Sequence, residues 1–145
     1  MATRSLIIRC IRLRDQAGAT LVEFAIAGLL FFTVLFGIIE FGLLMYNQQV
    51  ITNAGREGAR HGIVARPEGY KVTKASIEQE AKRFENFIVS FGDKNFTVDS
   101  TFTSGQSYCD QFQDRLTVDV TYDYSFLFLP FSEKTLGTTA IMVCE

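Results

Sequence analysis

The sequence predicts an α+β protein: a long N-terminal helix followed by a small domain of one amphipathic helix and a three-stranded antiparallel sheet. Three observations carry that expectation. An arginine-rich start runs directly into an apolar stretch. Residues 76–91 repeat apolar side chains at the spacing of a helix with one buried face. From residue 96 onward, apolar and polar residues alternate, the period of strands with one face on a core and one in water. The chain accordingly divides into a basic segment at 1–18, a long helix at 19–65 and a folded domain at 66–145.

The basic segment carries Arg4, Arg9, Arg12 and Arg14 against Asp15 alone, although the whole chain has a net charge of −2. Nucleic-acid binding calls for basic residues spread over a folded face, so no nucleic-acid partner is expected. Four arginines beside an apolar run instead mark a cytoplasmic flank under the positive-inside bias. The uncharged run Phe24–Ile39, FAIAGLLFFTVLFGII, spans only about 24 Å as a helix. Extended from Leu21 to Tyr46 it is ample for the ~30 Å hydrocarbon core, and membrane lipid is its expected surrounding. Glu23 and Glu40 then stand near the two interfaces, with Glu40 read as an interfacial acid reached by water or headgroups. The run is too long for the core of an ordinary secretory signal, and Leu43–Asn47 offers no small-x-small cleavage site.

An acid inside a membrane segment is costly and by default has a function or a partner. Here Glu23 lies five residues after Gly18, is followed by Phe24, and opens the apolar run. A basic start, Gly18-Ala19, then Glu23-Phe24 resembles the class III signal peptide cut by prepilin peptidases in type IV pilins and pseudopilins. The segment from Gly18 to Arg60 resembles the TadE-like family of pilus-assembly proteins. The shared elements are Val22-Glu23-Phe24, Phe36-Gly37-Ile38-Ile39-Glu40-Phe41-Gly42 and Asn53-Ala54-Gly55-Arg56-Glu57-Gly58-Ala59-Arg60. Many relatives carry a proline early in the apolar helix, where this chain reads Gly28-Leu29.

The resemblance implies that Gly18 and Ala19 form the processing site and that the prepilin peptidase, other pilin or pseudopilin subunits and an inner-membrane assembly platform are partners. It also implies a single-pass cytoplasmic-membrane protein with a periplasmic C-terminal domain, extracellular once in a pilus, and an association with adhesion and biofilm. Cleavage would convert the Ala19 amide into an α-amine of pKa ~8. Ala19 and Glu23 are four residues apart and share a helix face. The new cation and the carboxylate are thus placed to offset one another, within a subunit or between neighbours, and to set helix register. Glu23 and Phe24 are the candidate assembly residues.

Beyond the apolar run, Ala54, Gly58 and Gly62 recur every four residues and leave a smooth face for close helix packing. Glycine weakens an exposed helix by ~1 kcal/mol, so this face is expected to pack, either on the chain's own C-terminal domain or on another subunit. Arg56, Glu57 and Arg60 read as a solvated or docking face. Arg66-Pro67-Glu68-Gly69 ends the helix.

In the folded domain, Ser76-Ile77-Glu78-Gln79 fits a capping box. Ile77, Ala81, Phe84, Ile88 and Phe91 then form an apolar stripe with Glu78, Lys82 and Glu85 outward, closed by Gly92-Asp93. Phe96, Val98 and Phe102 form one strand face. Leu116, Val118, Val120, Tyr122 and Tyr124 form the next, and Thr139, Ile141 and Val143 begin the third. A domain of this size is marginal for a core, and a Cys109–Cys144 disulfide would staple it. The alternative is two buried free thiols.

No phosphate-cradling glycine loop, metal-ligand cluster or nucleophile–base pair is legible, and the single histidine, His61, makes no triad. No cofactor, metal or catalytic residue is expected. The aromatic stretch from Tyr122 to Phe131 reads as strand end and core, and any exposed part as a contact surface. The leading function is a minor pilin or pseudopilin in assembly of a tight-adherence, type IV-like pilus. The alternatives are an uncleaved membrane-anchored periplasmic binding protein and a type II secretion pseudopilin.

Overall fold

The computed structural model describes residues 3–64, 72–93, 95–106, 108–109, 113–128 and 133–144, with side chains from residue 18 onward. The elements run α1 (Thr3–Ile63), α2 (Lys74–Lys82), a 3₁₀ turn (Arg83–Phe87), β1 (Phe96–Phe102), β2 (Arg115–Tyr124) and β3 (Lys134–Val143). The α+β class is therefore as the sequence predicts. Two compact units divide the chain inside α1, at Met1–Ile39 and Glu40–Glu145. The second half of the long helix thus belongs to the folded domain.

The sheet is an antiparallel meander in the order β1-β2-β3. β2 is central and pairs Val120 with Val98 of β1 and with Thr138 of β3. Its alternation is complete: Leu116, Val118, Val120, Tyr122 and Tyr124 are fully buried, while the intervening residues are partly exposed. A strand presents alternate side chains to opposite faces, so this pattern fixes which face meets the helices.

The α1 residues that meet the sheet follow the 3.6-residue period. Glu40, Asn47, Ile51, Ala54, Gly58 and Gly62 are all buried and lie three, four or seven residues apart. The stripe changes from large to small along the chain. A Cβ on Gly55 would lie 3.1 Å from the Thr138 Cγ2, and one on Gly58 would lie 3.1 Å from the Ala81 Cβ. One on Gly62 would overlap the Leu116 Cδ2 and come within 2.8 Å of the Ile77 Cδ1. The Ala54/Gly58/Gly62 face therefore packs against this chain's own sheet and α2.

Four local readings of the sequence change. α2 begins at Lys74 after Thr73, three residues ahead of the expected core position Ile77. Its N-cap has no side-chain hydrogen bond, and the Ser76 hydroxyl donates to the Thr73 carbonyl at 2.8 Å instead of capping the helix. The helix tightens to 3₁₀ at Arg83 and ends at Phe87, with Ile88 extended at ψ 129°. Ile77, Ala81 and Ile88 are buried and Phe84 packs on the core, but Phe91 is past the helical register and 47% exposed. Glu78 does not simply face outward: it accepts a hydrogen bond from Ser100, an inward residue of β1, at 3.2 Å. In β3 the inward set is Leu136, Thr138, Ala140 and Met142, whereas Thr139, Ile141 and Val143 lie on the exposed face. Tight approach to Gly55 selects small side chains there, so size outweighs hydrophobicity. Pro67 and its neighbours lie outside the described residues.

The end of the sheet is fastened twice. Cys109 and Cys144 are joined in a disulfide with Cα atoms 5.8 Å apart and 35 residues apart in sequence. A loop of that size is stabilised by roughly 3–4 kcal/mol from chain entropy. Beside it, the Cys144 N–H donates to the Asp114 carbonyl at 2.8 Å and the Gln113 N–H to the Cys144 carbonyl at 3.1 Å, continuing the β2–β3 ladder. Those bonds hold Gln113 at φ 72°, a left-handed conformation that costs an ordinary residue ~1–2 kcal/mol. The buried Asp114 carboxylate accepts from the Ser104 hydroxyl, the Ser104 N–H at 3.1 Å and the Arg115 N–H at 2.9 Å. The Ser104 hydroxyl, followed by these amides, holds the Asp114 carboxyl below its ordinary pKa against the opposing effect of burial.

Two outcomes follow from this packing. Gly62→Ala gains helix propensity but drives a methyl into two fully buried side chains, so a net loss of roughly 1–3 kcal/mol is expected in denaturant titrations. Gly42→Ala, with nothing near its Cβ, is expected to be neutral or to gain up to ~1 kcal/mol. The second outcome concerns acid. The unfolded Asp114 carboxyl takes up its proton at higher pH than the folded one. Its stabilisation is therefore fully present above about pH 4 and is lost as pH falls through the lower folded value. Asp114→Asn is expected to flatten that part of an acid-unfolding curve, and an unchanged slope would show that Asp114 is not the group involved.

Candidate functional site: an apolar helix and two carboxylates

In the first unit, α1 is apolar on every side and exposed on every side. Leu21, Phe24, Leu29, Leu30, Val34 and Ile38 each leave three-fifths or more of their surface open, with Phe24 the most exposed at 77%. A helix of this kind is long and apolar enough to cross a membrane. Gly18 and Ala19 are exposed and helical, and Glu23 and Phe24 are exposed one turn further on. A Cβ on Gly18 would meet nothing within 4 Å. Within the run, Thr33 returns its hydroxyl to the Leu29 carbonyl at 2.8 Å, which satisfies it without an outside partner.

In the second unit, Glu40 is not the interfacial acid that its position in the sequence suggests. It is 1% exposed. Its carboxylate accepts the Tyr124 hydroxyl at 2.6 Å, the Leu127 N–H at 3.1 Å and the Phe128 N–H at 3.0 Å. A buried carboxylate is tolerated only when donors replace its water, and three donors do so here. Charge-assisted bonds of this kind are about twice as strong as neutral ones. Burial, followed by the hydrogen bond and charge of Glu40, pushes the Tyr124 hydroxyl well above its ordinary pKa, so it stays protonated and donating.

Seven residues further along the same face, Asn47 is fully buried and closes a two-bond bracket on Val89. Its Nδ2 donates to the Val89 carbonyl at 2.8 Å and its Oδ1 accepts the Val89 N–H at 3.0 Å. Two polar groups, two turns apart, thus collect two loops, 89–92 and 125–128. Those loops touch each other, since a Cβ on Gly92 would lie 2.8 Å from the Ser125 Oγ. Sequence reasoning missed this arrangement. A signal was present, because Glu40 and Asn47 continue the same helical stripe as Ile51, Ala54 and Gly58.

Elsewhere, a surface hollow is lined by His61, Ser76, Gln79, Glu80 and Arg83. Its Arg83 guanidinium is engaged by Glu80 at 2.8 Å, and the Ser76 hydroxyl is turned to the Thr73 carbonyl. Among the described residues no group of three His, Cys, Asp or Glu side chains is placed to hold a metal.

The tyrosine pair gives a clean test of the buried carboxylate. Tyr124→Phe removes a bond to a charged group and is expected to cost ~1.5–3 kcal/mol, and Glu40→Ala about 3 kcal/mol or more, because it strands three donors. Tyr122→Phe is the contrast: among the described residues its buried hydroxyl has no hydrogen-bond partner, so its loss is expected to be neutral or stabilising. Denaturant unfolding of the full chain in detergent measures all three. Equal losses for the two tyrosines would sink the assignment.

Residues 18–60 match the family model described as TadE-like protein. That segment holds the exposed apolar helix, Glu23, Glu40 and the small-residue face through Gly58, so the likeness to the family lies in the long helix. No curated protein and no solved structure matches the chain.

Proposed function

We propose that the protein is a minor pilin, or pseudopilin, that takes part in assembling a tight-adherence, type IV-like pilus serving adhesion and biofilm formation. One observation carries the reading: a TadE-like helix, apolar and exposed all round, begins with Gly18-Ala19 and places Glu23-Phe24 one turn later. The arginine-rich start holds residues 1–18 on the cytoplasmic side of the inner membrane, and the C-terminal domain lies on the periplasmic side. A prepilin peptidase hydrolyses the Gly18–Ala19 amide. The C–N bond breaks as water supplies the second oxygen of the new Gly18 carboxylate and the two protons that turn the Ala19 N–H into an ammonium group.

That ammonium stands four residues before the Glu23 carboxylate on one helix face. In a bundle of such helices, unlike charges at a fixed height favour one axial register over its neighbours, which is the attested use of buried charge pairs. Other pilin or pseudopilin subunits and the inner-membrane assembly platform are the partners, with lipid around the helix before extraction. The protein acts by assembly, not by catalysis. The separate folded domain supports an accessory place in the pilus over the bulk shaft.

The mature N-terminus tests the reading. Intact-mass and peptide mass spectrometry of the native protein is expected to find Ala19 as the first residue, and a chain starting at Met1 or Ala2 overturns it. Glu23→Ala is expected to be cut normally yet depleted from filaments. Incorporation equal to wild type would remove Glu23 from the mechanism.

A further inference from the structure

Glu40 is the residue that directly follows the uncharged run Phe24–Ile39. Whatever holds that run in a bilayer therefore holds Glu40 at the boundary of the apolar layer, by covalent connection alone. The Glu40 carboxylate in turn binds the backbone amides of Leu127 and Phe128. The side chains of those two residues stay largely open: Leu127 is 45% and Phe128 42% exposed. The adjoining loop, bracketed by Asn47, exposes Phe91, and Phe41 on the helix itself is also open. Neither Val89–Gly92 nor Ser125–Phe128 contains a charged residue.

Large apolar side chains scattered singly over a surface need no explanation. Three on two touching, uncharged loops, tied to α1 just beyond its uncharged run, do need one. We infer that loops 89–92 and 125–128 form a lipid-contacting collar, in which Phe91, Leu127 and Phe128 enter the boundary between headgroups and acyl chains of the bilayer that holds α1. Phe and Leu on interfacial segments bury their side chains to this depth, at the boundary of headgroups and acyl chains. With no basic residue in either loop, the contact is apolar and does not require anionic lipid. The Glu40 and Asn47 brackets explain how loops carrying such residues are held in place: their backbones are fixed to the helix while the apolar side chains stay exposed. The inference rests on the membrane-spanning part of the proposed function.

The chain contains no tryptophan, so single tryptophans report their own depth. Leu127→Trp and Phe128→Trp leave the amides that bind Glu40 in place, and Phe91→Trp on the second loop serves if either disturbs the fold. The full chain is reconstituted in phosphatidylcholine vesicles with and without acyl-chain bromination. Phe31→Trp marks the span. Ile141→Trp marks the exposed sheet face, where Ile141 pairs with Thr117, seven strand positions from Tyr124 and so about 24 Å along β2. Loss of emission in brominated lipid is expected at positions 31, 127 and 128 and not at 141. Quenching at 31 without quenching at 127 or 128 overturns the collar and leaves the span standing. No quenching at 31 overturns the span and the collar with it. Shielding of 127 and 128 from aqueous iodide without bromolipid quenching assigns the face to a protein neighbour and also overturns the collar.

Discussion

The Glu40 carboxylate is the interaction on which the folded domain turns. It joins the first turn of the domain's share of α1 to the end of the central strand and to the loop that follows. An ionised carboxylate in a protein interior is a liability until every lone pair direction is met. Here the donors come from Tyr124, the last residue of β2, and from two successive backbone amides. The sheet cannot slide along the helix without stranding that charge. A one-residue slip of β2 would also turn Tyr124 to the solvent face and remove the strongest donor. Register of strand against helix is thus set by a polar contact at one end.

At the other end register is set by shape. Gly62 admits Leu116 and Ile77 to distances that a methyl would forbid, and Gly55 and Gly58 admit Thr138 and Ala81 to distances at which a methyl would press on them. Between the two ends, Asn47 and Ile51 are fully buried and offer neither a charge nor a gap. A helix tied by a carboxylate at one end and a glycine cleft at the other has little freedom to rotate or translate. The disulfide and the Asp114 bonds then close the margin of the sheet beside the cleft, where the terminal strand would otherwise fray.

Much of this was legible in the sequence, for definite reasons. The alternation of β2 is unbroken from Leu116 to Tyr124 because that strand is central and one-sided, the case in which period two is least disturbed. The β3 face was misread because hydrophobicity is a poor guide where space is short. Ile141 and Val143 are the bulkier residues, yet Thr138 and Ala140 are those that fit beneath α1. Cys144 held the missing clue: counting back by twos from a cysteine committed to a disulfide gives Met142, Ala140, Thr138 and Leu136, the inward set. The end of α2 was overextended because Phe91 continues the apolar count by chance of spacing. The Asn47 bracket on Val89 draws the backbone out of the helix before that residue is reached. Glu40 was misplaced because hydropathy along the chain says where an acid sits and nothing of what folds back onto it.

The two acids of the apolar helix now separate by chemistry. Glu40 has three donors within 3.1 Å and is closed to solvent. Its charge is spent inside the chain, and it cannot also serve a neighbour without the domain coming apart. Glu23 is exposed on a helix with no sheet folded over it. An acid in that position is compensated from outside its own folded domain, by water, by headgroups or by a cation on another helix. Removing water and headgroups, as extraction from a bilayer into a helical bundle does, leaves the cation. The α-amine proposed to form at Ala19 is the cation that processing would create at that depth. Cleavage and assembly would then be linked by one charge balance: the uncut chain brings only the acid to the bundle, and the cut chain brings both members of the pair.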